Sequence, residues 1–491
     1  MKKIEWMVAA GTVATIAGAV YAGGCADTRS DCMLLGTCGE GGGTGSAAST
    51  AASSTGTGAM IGSLVCESRH YGDAADQAAR SIHVDKDANL LLAGDFDGEL
   101  TLGGQSATVA SKEVFVTKLD ASWKAPWLQH FAVSYGAVAH DPSGSIVLAG
   151  SYAGAPVFGG CPALAGPDDL YVVKLKSTGE CAWAKSFTAP GAHVSIAVND
   201  KGKIAVAGDS AGVVDFHTGA NGLLPLAGNK GGGHDFFLAQ LDADGNVVRA
   251  AAYGGNADDV VNDVAFDIKG GTIITGTYKS DALGFDDGHN ALPHNGMLDQ
   301  AFVARFDDTV VSWAVGFPGK GEQRSTALAV AKDVAFVAGD FNGTMDTPPS
   351  ADPLTIKGRA FFLLGLDISS GNVLRRQAFD GAGPKTIRDM ATDGADTVAL
   401  TGSLDGDVDF GLVKLNAKGG IVVARLDTKN VTALSSVVFG SDAPERAGNG
   451  ILIDGASLFI TGSFNGNLDL GEKEPMKSGG GADVFVAKCQ P

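Results

Sequence analysis

The sequence predicts an all-β fold: a seven-bladed β-propeller of four-stranded blades, its ring closed by the N-terminal strand in the last blade. Three observations predict it. A short apolar run ending in glycine recurs at Gly94, Gly150, Gly208, Gly276, Gly339, Gly402 and Gly462, with successive spacings between 56 and 68 residues, a period that belongs to repeat architectures. Each repeat holds four short apolar runs separated by Gly, Asp, Asn or Ser, as strands and turns require. The last repeat stops after its third run, and a run of the missing shape stands at the other end of the chain, at Val65–Tyr71.

Residues 1–24 precede the repeats and have the features of an export signal: Lys2 and Lys3, then an apolar stretch from Met7 to Val20 that is short for a membrane span. Ala22-Gly23-Gly24-Cys25 resembles a lipobox, with Ala22 where leucine is usual. Cys25 is therefore the expected lipidation site. Cleavage after Ala22 to release a periplasmic or secreted protein is the alternative. Residues 25–63 are rich in Gly, Ser, Thr and Ala, cannot bury a core, and are expected to form a flexible tether. Residues 64–491 carry the propeller.

Within the first repeat the four runs fall at 81–85, 90–96, 113–120 and 127–131. The third-run pattern Phe115-Val116-Thr117-Lys118-Leu119 returns at 171–175, 237–241, 302–306 and 485–489. It loses its basic residue at 362–366 and its aromatic at 422–426. The fourth run ends in Phe131, Phe187, Tyr253, Phe317, Phe379 and Phe439, and Tyr71 supplies the seventh. Pairing the first run with the last leaves no open edge, which an unclosed array would expose.

Seven cysteines in an exported chain fit one lipidated residue and three disulfides. Cys66 and Cys489 stand on the two runs that close the ring. Cys161 and Cys181 belong to one blade, and Cys32 and Cys38 to the tether. Free thiols remain the alternative for some of them. A formal charge of −19 argues against nucleic acid as a partner, because a phosphate-binding face is basic.

Chemical motifs are weak beside the repeat. Gly208-Asp209-Ser210-Ala211-Gly212 matches a nucleophile elbow, but the same slot elsewhere holds Phe96, Phe341 or Phe464, so Ser210 is expected to be structural. Asp405-Gly406-Asp407-Val408-Asp409 resembles a calcium-type carboxylate run, yet the aligned 465–469 carries amides, and turn duty is favoured. Glu113, Asp169, Asp235 and Asp483 stand two residues before the third-run aromatic and are expected to accept turn N–H groups. No metal site and no cofactor are expected, calcium being the alternative. The segments 215–234, 281–299 and 344–358 vary most and share one face of the ring. Binding residues concentrate on such loops. The candidates there are Leu223, Leu224, Leu226, Asp286, His289 and His294.

The turn and strand 141–150, the Phe-x-Gly elements Phe341–Gly343 and Phe464–Gly466, and the pair Asp483 and Phe485 carry a resemblance to bacterial β-propeller-repeat lipoproteins. It covers residues 64–491. The resemblance implies an outer-membrane or cell-surface location and no catalytic residue. The expected function is a binding or scaffold module for an envelope protein or glycan, touching the membrane through its lipid anchor only. The alternatives are a hydrolase- or lyase-type enzyme with its site at the channel, and a purely structural envelope component.

Overall fold

The computed structural model describes residues 64–164, 166–217, 223–224, 233–285, 291–294, 298–440, 446–472 and 474–490. Seven four-stranded antiparallel sheets follow one another. Blade one is Gln77–Val84, Leu90–Leu102, Gln105–Leu119 and Leu128–Phe131, from the inner strand outward. Blade seven is Arg446–Asp454, Ser457–Phe464, Asp483–Gln490 and then Val65–Tyr71. The chain start therefore pairs with the chain end, Cys66 opposite Cys489 and Tyr71 opposite Val484. The inner strands of blades two to six are Ala137–His140, His193–Val198, Asp259–Phe266, Gln323–Ala331 and Lys385–Thr392. Neighbouring inner strands touch all the way round, blade seven meeting blade one.

The third strands read as unbroken apolar runs because both faces are buried. Phe115 packs toward blade seven, and its neighbours Val114 and Val116 pack toward blade two. Each blade interface has its own hydrophobic cluster, seven among the described residues. No single core runs through the ring, so the ring grows by stacking.

The repeated glycine has one steric cause. A Cβ on Gly94 would sit 1.9 Å from Ala78 O, and the inner-strand carbonyls His193 O, Val260 O and Ala447 O crowd Gly208, Gly276 and Gly462 in the same way, at 2.1, 2.0 and 1.9 Å. Only a residue without a side chain admits the inner strand at that depth.

The variable segments continue the sheets as hairpins. In blade five the second and third strands run on as Val334–Met345 and Leu354–Asp367, pairing Thr344 with Thr355 past a bulge. Blades three and four carry two-residue pairs instead, Val214–Asp215 with Leu223–Leu224 and Ala282–Leu283 with Leu292–Pro293. These hairpins lay an aromatic on the previous blade's closing aromatic. Phe158, Phe216 and Phe410 lie 4.9, 5.0 and 4.8 Å from Phe131, Phe187 and Phe379.

An outer belt links the blades. Four residues before six of the seven closing aromatics, a side chain reaches the third-to-fourth-strand turn of the next blade; in blade six that place holds the short Ser435. Trp127 Nε1 donates to Ser177 O, Trp183 Nε1 to Ala243 O and Trp313 Nε1 to Ile368 O. Arg375 Nε donates to Lys429 O, and Arg249 pairs with Asp308. Glu67 accepts from Trp123 Nε1 across the closure. The tryptophan rings lie on Gly179, Gly245 and Gly371, whose positive φ of 84, 79 and 73° makes those turns.

Two disulfides are present, Cys66–Cys489 and Cys161–Cys181. They fit an oxidising compartment. Cys25, Cys32 and Cys38 lie outside the described residues. Among the described residues no helix is long and apolar enough to cross a membrane.

Candidate functional site

The inner strands wall a central channel enclosing a cavity of about 850 Å³. Five of them, in blades one, four, five, six and seven, carry a bulge at the same depth, which leaves Arg80, Asn262, Thr326, Arg388 and Asn449 out of the ladder. A bulge re-aims the extra residue. Three of these side chains reach the residue just before the next blade's bulge. Asn262 Nδ2 donates to Ser325 O at 2.7 Å, Thr326 Oγ1 to Ile387 O at 2.8 Å and Asn449 Nδ2 to Ala79 O at 2.9 Å. Carbonyls displaced by one bulge are thus satisfied by the bulged side chain of the neighbour.

Beside each bulge stands a layer of Ser81, Asp263, Ala327, Asp389 and Gly450, of which Ser81, Asp263 and Asp389 line the cavity and Ala327 and Gly450 are buried. Its two carboxylates clamp adjacent blades. Asp263 accepts Val264 N at 2.8 Å, Leu328 N of blade five at 2.8 Å and Ser195 Oγ of blade three at 3.1 Å. Asp389 accepts Met390 N and, from blade seven, Ile451 N, both at 2.8 Å. Each keeps some surface toward the channel, but protein walls surround it, and that enclosure governs its charge. Burial pushes Asp263 up to about 6 against its three donors. Burial pushes Asp389 up to about 7, with the Asp263 charge adding to it and its two backbone N–H groups opposing.

Blades one and two complete the wall. Burial raises the Tyr135 phenol, with Ser81 and Arg80 acting the other way and Asp95 and Asp389 close enough to add to the rise. Arg80 pairs with Asp95 at 2.6 Å. Further down the channel His83 and His140 lie with ring centroids 5.3 Å apart. His83 Nε2 is 3.1 Å from Val138 O and 2.9 Å from Ser81 Oγ. Burial and the neighbouring His140 push His83 down to about 4, and burial lowers His140. Both imidazoles are neutral at physiological pH.

The outer rim of the cavity is made by Asn199–Lys201 and Asp267–Gly270. These are the turns joining first to second strands in blades three and four. They lie at the opposite end from the variable hairpins where the sequence placed its binding candidates. Of those candidates, Leu223 and Leu224 form a short strand against Val214–Asp215. His294 is buried, its Nε2 2.7 Å from Leu298 O and its ring edge-on to Tyr278 at 5.4 Å. Leu226, Asp286 and His289 lie outside the described residues. The structure brings none of the described candidates to the channel.

The other motifs have structural partners. Ser210 is buried and its hydroxyl donates to Pro190 O. Asp407 accepts Ala382 N and pairs with Lys414 at 2.9 Å, and Asp409 accepts Gly411 N. Asp169, Asp235 and Asp483 accept Ala189 N, Gly255 N and Gly479 N, and Glu113 meets His130 Nδ1 at 2.6 Å. The basic residue of the third strand pairs with the aspartate of the first turn: Lys118 with Asp85, Lys174 with Asp141, Arg305 with Asp267. Among the described residues no group of three or more His, Cys, Asp or Glu side chains could hold a metal ion.

No family model matches the chain, and no curated protein matches it. Solved structures do. The chain is similar to quinohemoprotein alcohol dehydrogenase from Comamonas testosteroni at 11% identity and a TM-score of 0.37, over 85% of this chain and 76% of that one. It is similar to a Synechocystis apocarotenoid oxygenase mutant at 9% identity and a TM-score of 0.40, over 88% and 94% of the two chains. The Pyrococcus horikoshii acylaminoacyl peptidase matches at 9% identity and a TM-score of 0.40, over 82% of this chain and 53% of that one. The propeller assignment stands on this chain's own strand order and not on those likenesses.

Proposed function

We propose that this protein is an exported ligand-binding module of the cell envelope, lipid-anchored through Cys25, with its site in the central channel. One observation carries the proposal. The positions that build the blades repeat around the ring, whereas Arg80, Asn262, Thr326, Arg388 and Asn449 occupy one repeated slot with three different residue types. Ring mechanics alone asks for a small donor there. Uneven polar groups converging on a cavity are the mark of a binding site. The two disulfides support export.

The test is native mass spectrometry of the protein purified gently from its own envelope. A discrete small mass released on unfolding, and absent from an Asp389→Ala variant that melts as a single transition, is expected. A ligand-free protein that captures only another protein through its hairpin face would overturn the channel site. Cys25→Ser is expected to move the protein from the membrane to the soluble fraction.

A second reading has its own support. Asp263 and Asp389 line one cavity, and burial raises both, to about 6 and about 7, into the range where a carboxyl can give or take a proton near neutral pH. Turnover of a bound glycan or ester, lost in Asp389→Asn, would favour a hydrolase or lyase.

A further inference from the structure

We infer that the channel takes a neutral saccharide, an inference that rests on the ligand-binding function proposed above. The first argument is charge. Arg80, Lys201, Lys269 and Arg388 are the basic residues of the lining. Asp200, Asp263, Asp267 and Asp389 are its acidic ones. The formal charges cancel on a chain carrying −19. A site for an anion or a cation would show an excess of the opposite sign, since that excess concentrates and orients an ionic ligand.

The second argument is hydrogen-bonding capacity. Asn262 and Asn449 each spend one amide N–H, on Ser325 O and Ala79 O, which leaves each a second N–H and its amide oxygen in hand. Thr326 spends its hydroxyl proton on Ile387 O and keeps its lone pairs. Asp389 accepts two backbone N–H groups, fewer than its two oxygens can take. The ring therefore offers acceptors on several sides, with the second amide N–H of Asn262 and of Asn449 as donors in the same lining. A ligand that donates and accepts from each of several positions satisfies such a wall, and a sugar ring with its hydroxyls does so.

The third argument is the apolar share. Ile196, Val264, Leu328 and Met390 line the same cavity as the polar residues, and Tyr135 adds an aromatic face. A saccharide has C–H faces as well as hydroxyl edges and needs both kinds of wall. At about 850 Å³ the cavity has the size of a small-ligand pocket.

The experiment is calorimetric titration of the full mature protein with three sets of compounds: neutral disaccharides built from glucose, galactose and N-acetylglucosamine, the corresponding uronic acids, and free amino acids. Saturable binding of one neutral disaccharide, weakened at least tenfold in both Tyr135→Ala and Asp389→Ala, is expected. Should either variant misfold, hydrogen exchange on the unaltered protein replaces it. Saturation with that sugar is then expected to slow exchange in Asp259–Phe266 and Lys385–Thr392 and not in the hairpins. Channel binding confined to the uronic acids or the amino acids would overturn the saccharide inference and leave the binding function standing. No binding from any set, or slowing in the hairpins alone, would overturn both. Cleavage of the disaccharide would replace the binding function with the hydrolase reading.

Discussion

The outer belt and the inner ring solve the same problem, joining one blade to the next, with opposite habits. In the belt, job and position hold in six of the seven blades: four residues before the closing aromatic, a side chain reaches the next blade's turn, Ser435 of blade six being the exception. Trp127, Trp183 and Trp313 do it with an indole, Arg375 with a guanidinium, Arg249 with a charge and Glu67 by accepting. In the inner ring the position is also constant, but Asn262, Thr326 and Asn449 reach the neighbour's carbonyl with short side chains, where Arg80 and Arg388 bring guanidinium groups to the cavity lining. The belt is explained once its mechanics are given. The ring leaves a chemical remainder, and the proposed ligand site rests on it.

The largest effect separating the two regions is expected at the closure. Replacing Cys66 and Cys489 together by serine frees the outer strand of blade seven. The loop-entropy account gives nominally about 6 kcal/mol for a separation of 423 residues, and measured losses for native disulfides run at about 2–5 kcal/mol. Denaturant unfolding should show that loss, while ligand affinity of the folded fraction stays at its original value. A parallel loss of affinity would mean that belt and channel are not separable.

Trp313→Ala comes next. Its ring is buried on Gly371 and its N–H is spent on Ile368 O, so truncation should cost about 3–5 kcal/mol. Trp183 does the same work but is half-exposed, so its truncation should cost less. Equal costs would show that the belt acts through the hydrogen bond rather than through burial.

The sequence displayed the blade count, the closure and both described disulfide pairs, because these rest on features that repeat or fall at register positions. The reason for the register glycine was not legible: it lies in an inner-strand carbonyl such as Ala78 O, which only pairing brings near Gly94. The pairing of Lys118 with Asp85 was hidden in the same way, although a signal existed. Where the turn carries Asn199 instead of aspartate, the third strand carries Gln240 instead of a cation. The channel is named only in the alternative enzyme reading, and the residues that line it are not legible for a physical reason. A bulge shifts register by one residue without changing composition, so nothing in the string around Asn262-Asp263 or Arg388-Asp389 marks it. The search for function on the variable hairpins followed the rule that loops bind, and His294 shows its weakness, since the hairpin buries it.

A smaller effect should appear in the pH dependence of stability. Asp263 and Asp389 have folded-state values of about 6 and about 7 against an ordinary 3.8. Below about pH 4 both are protonated whether folded or unfolded, and they impose no penalty. As pH rises from there the unfolded chain ionises first, so the folded state binds more protons and stability falls. The fall should level off above about pH 7. In the double variant Asp263→Asn with Asp389→Asn that slope should flatten, whatever happens to the height of the curve. A slope that survives would assign the effect to the other carboxylates that burial raises, Asp235 to about 7 and Asp259 and Asp340 to about 6.

The smallest effect on folding, and the sharpest on the comparison, is expected for Tyr135→Phe. The change removes one oxygen and keeps the ring, so stability should move by no more than the roughly 0.5–1.5 kcal/mol of a single hydrogen bond. No belt residue touches Tyr135, and its neighbours by charge are Arg80, Asp95 and Asp389. If the inner ring is a ligand site, this near-silent substitution should still change ligand affinity, because a phenyl ring leaves a sugar hydroxyl group unpaired where the phenol can bond it. Affinity unchanged in Tyr135→Phe but lost in Tyr135→Ala would assign the residue to stacking against the ring face of the sugar. Affinity unchanged in both would return the channel to ring mechanics and make the belt and the inner ring alike after all.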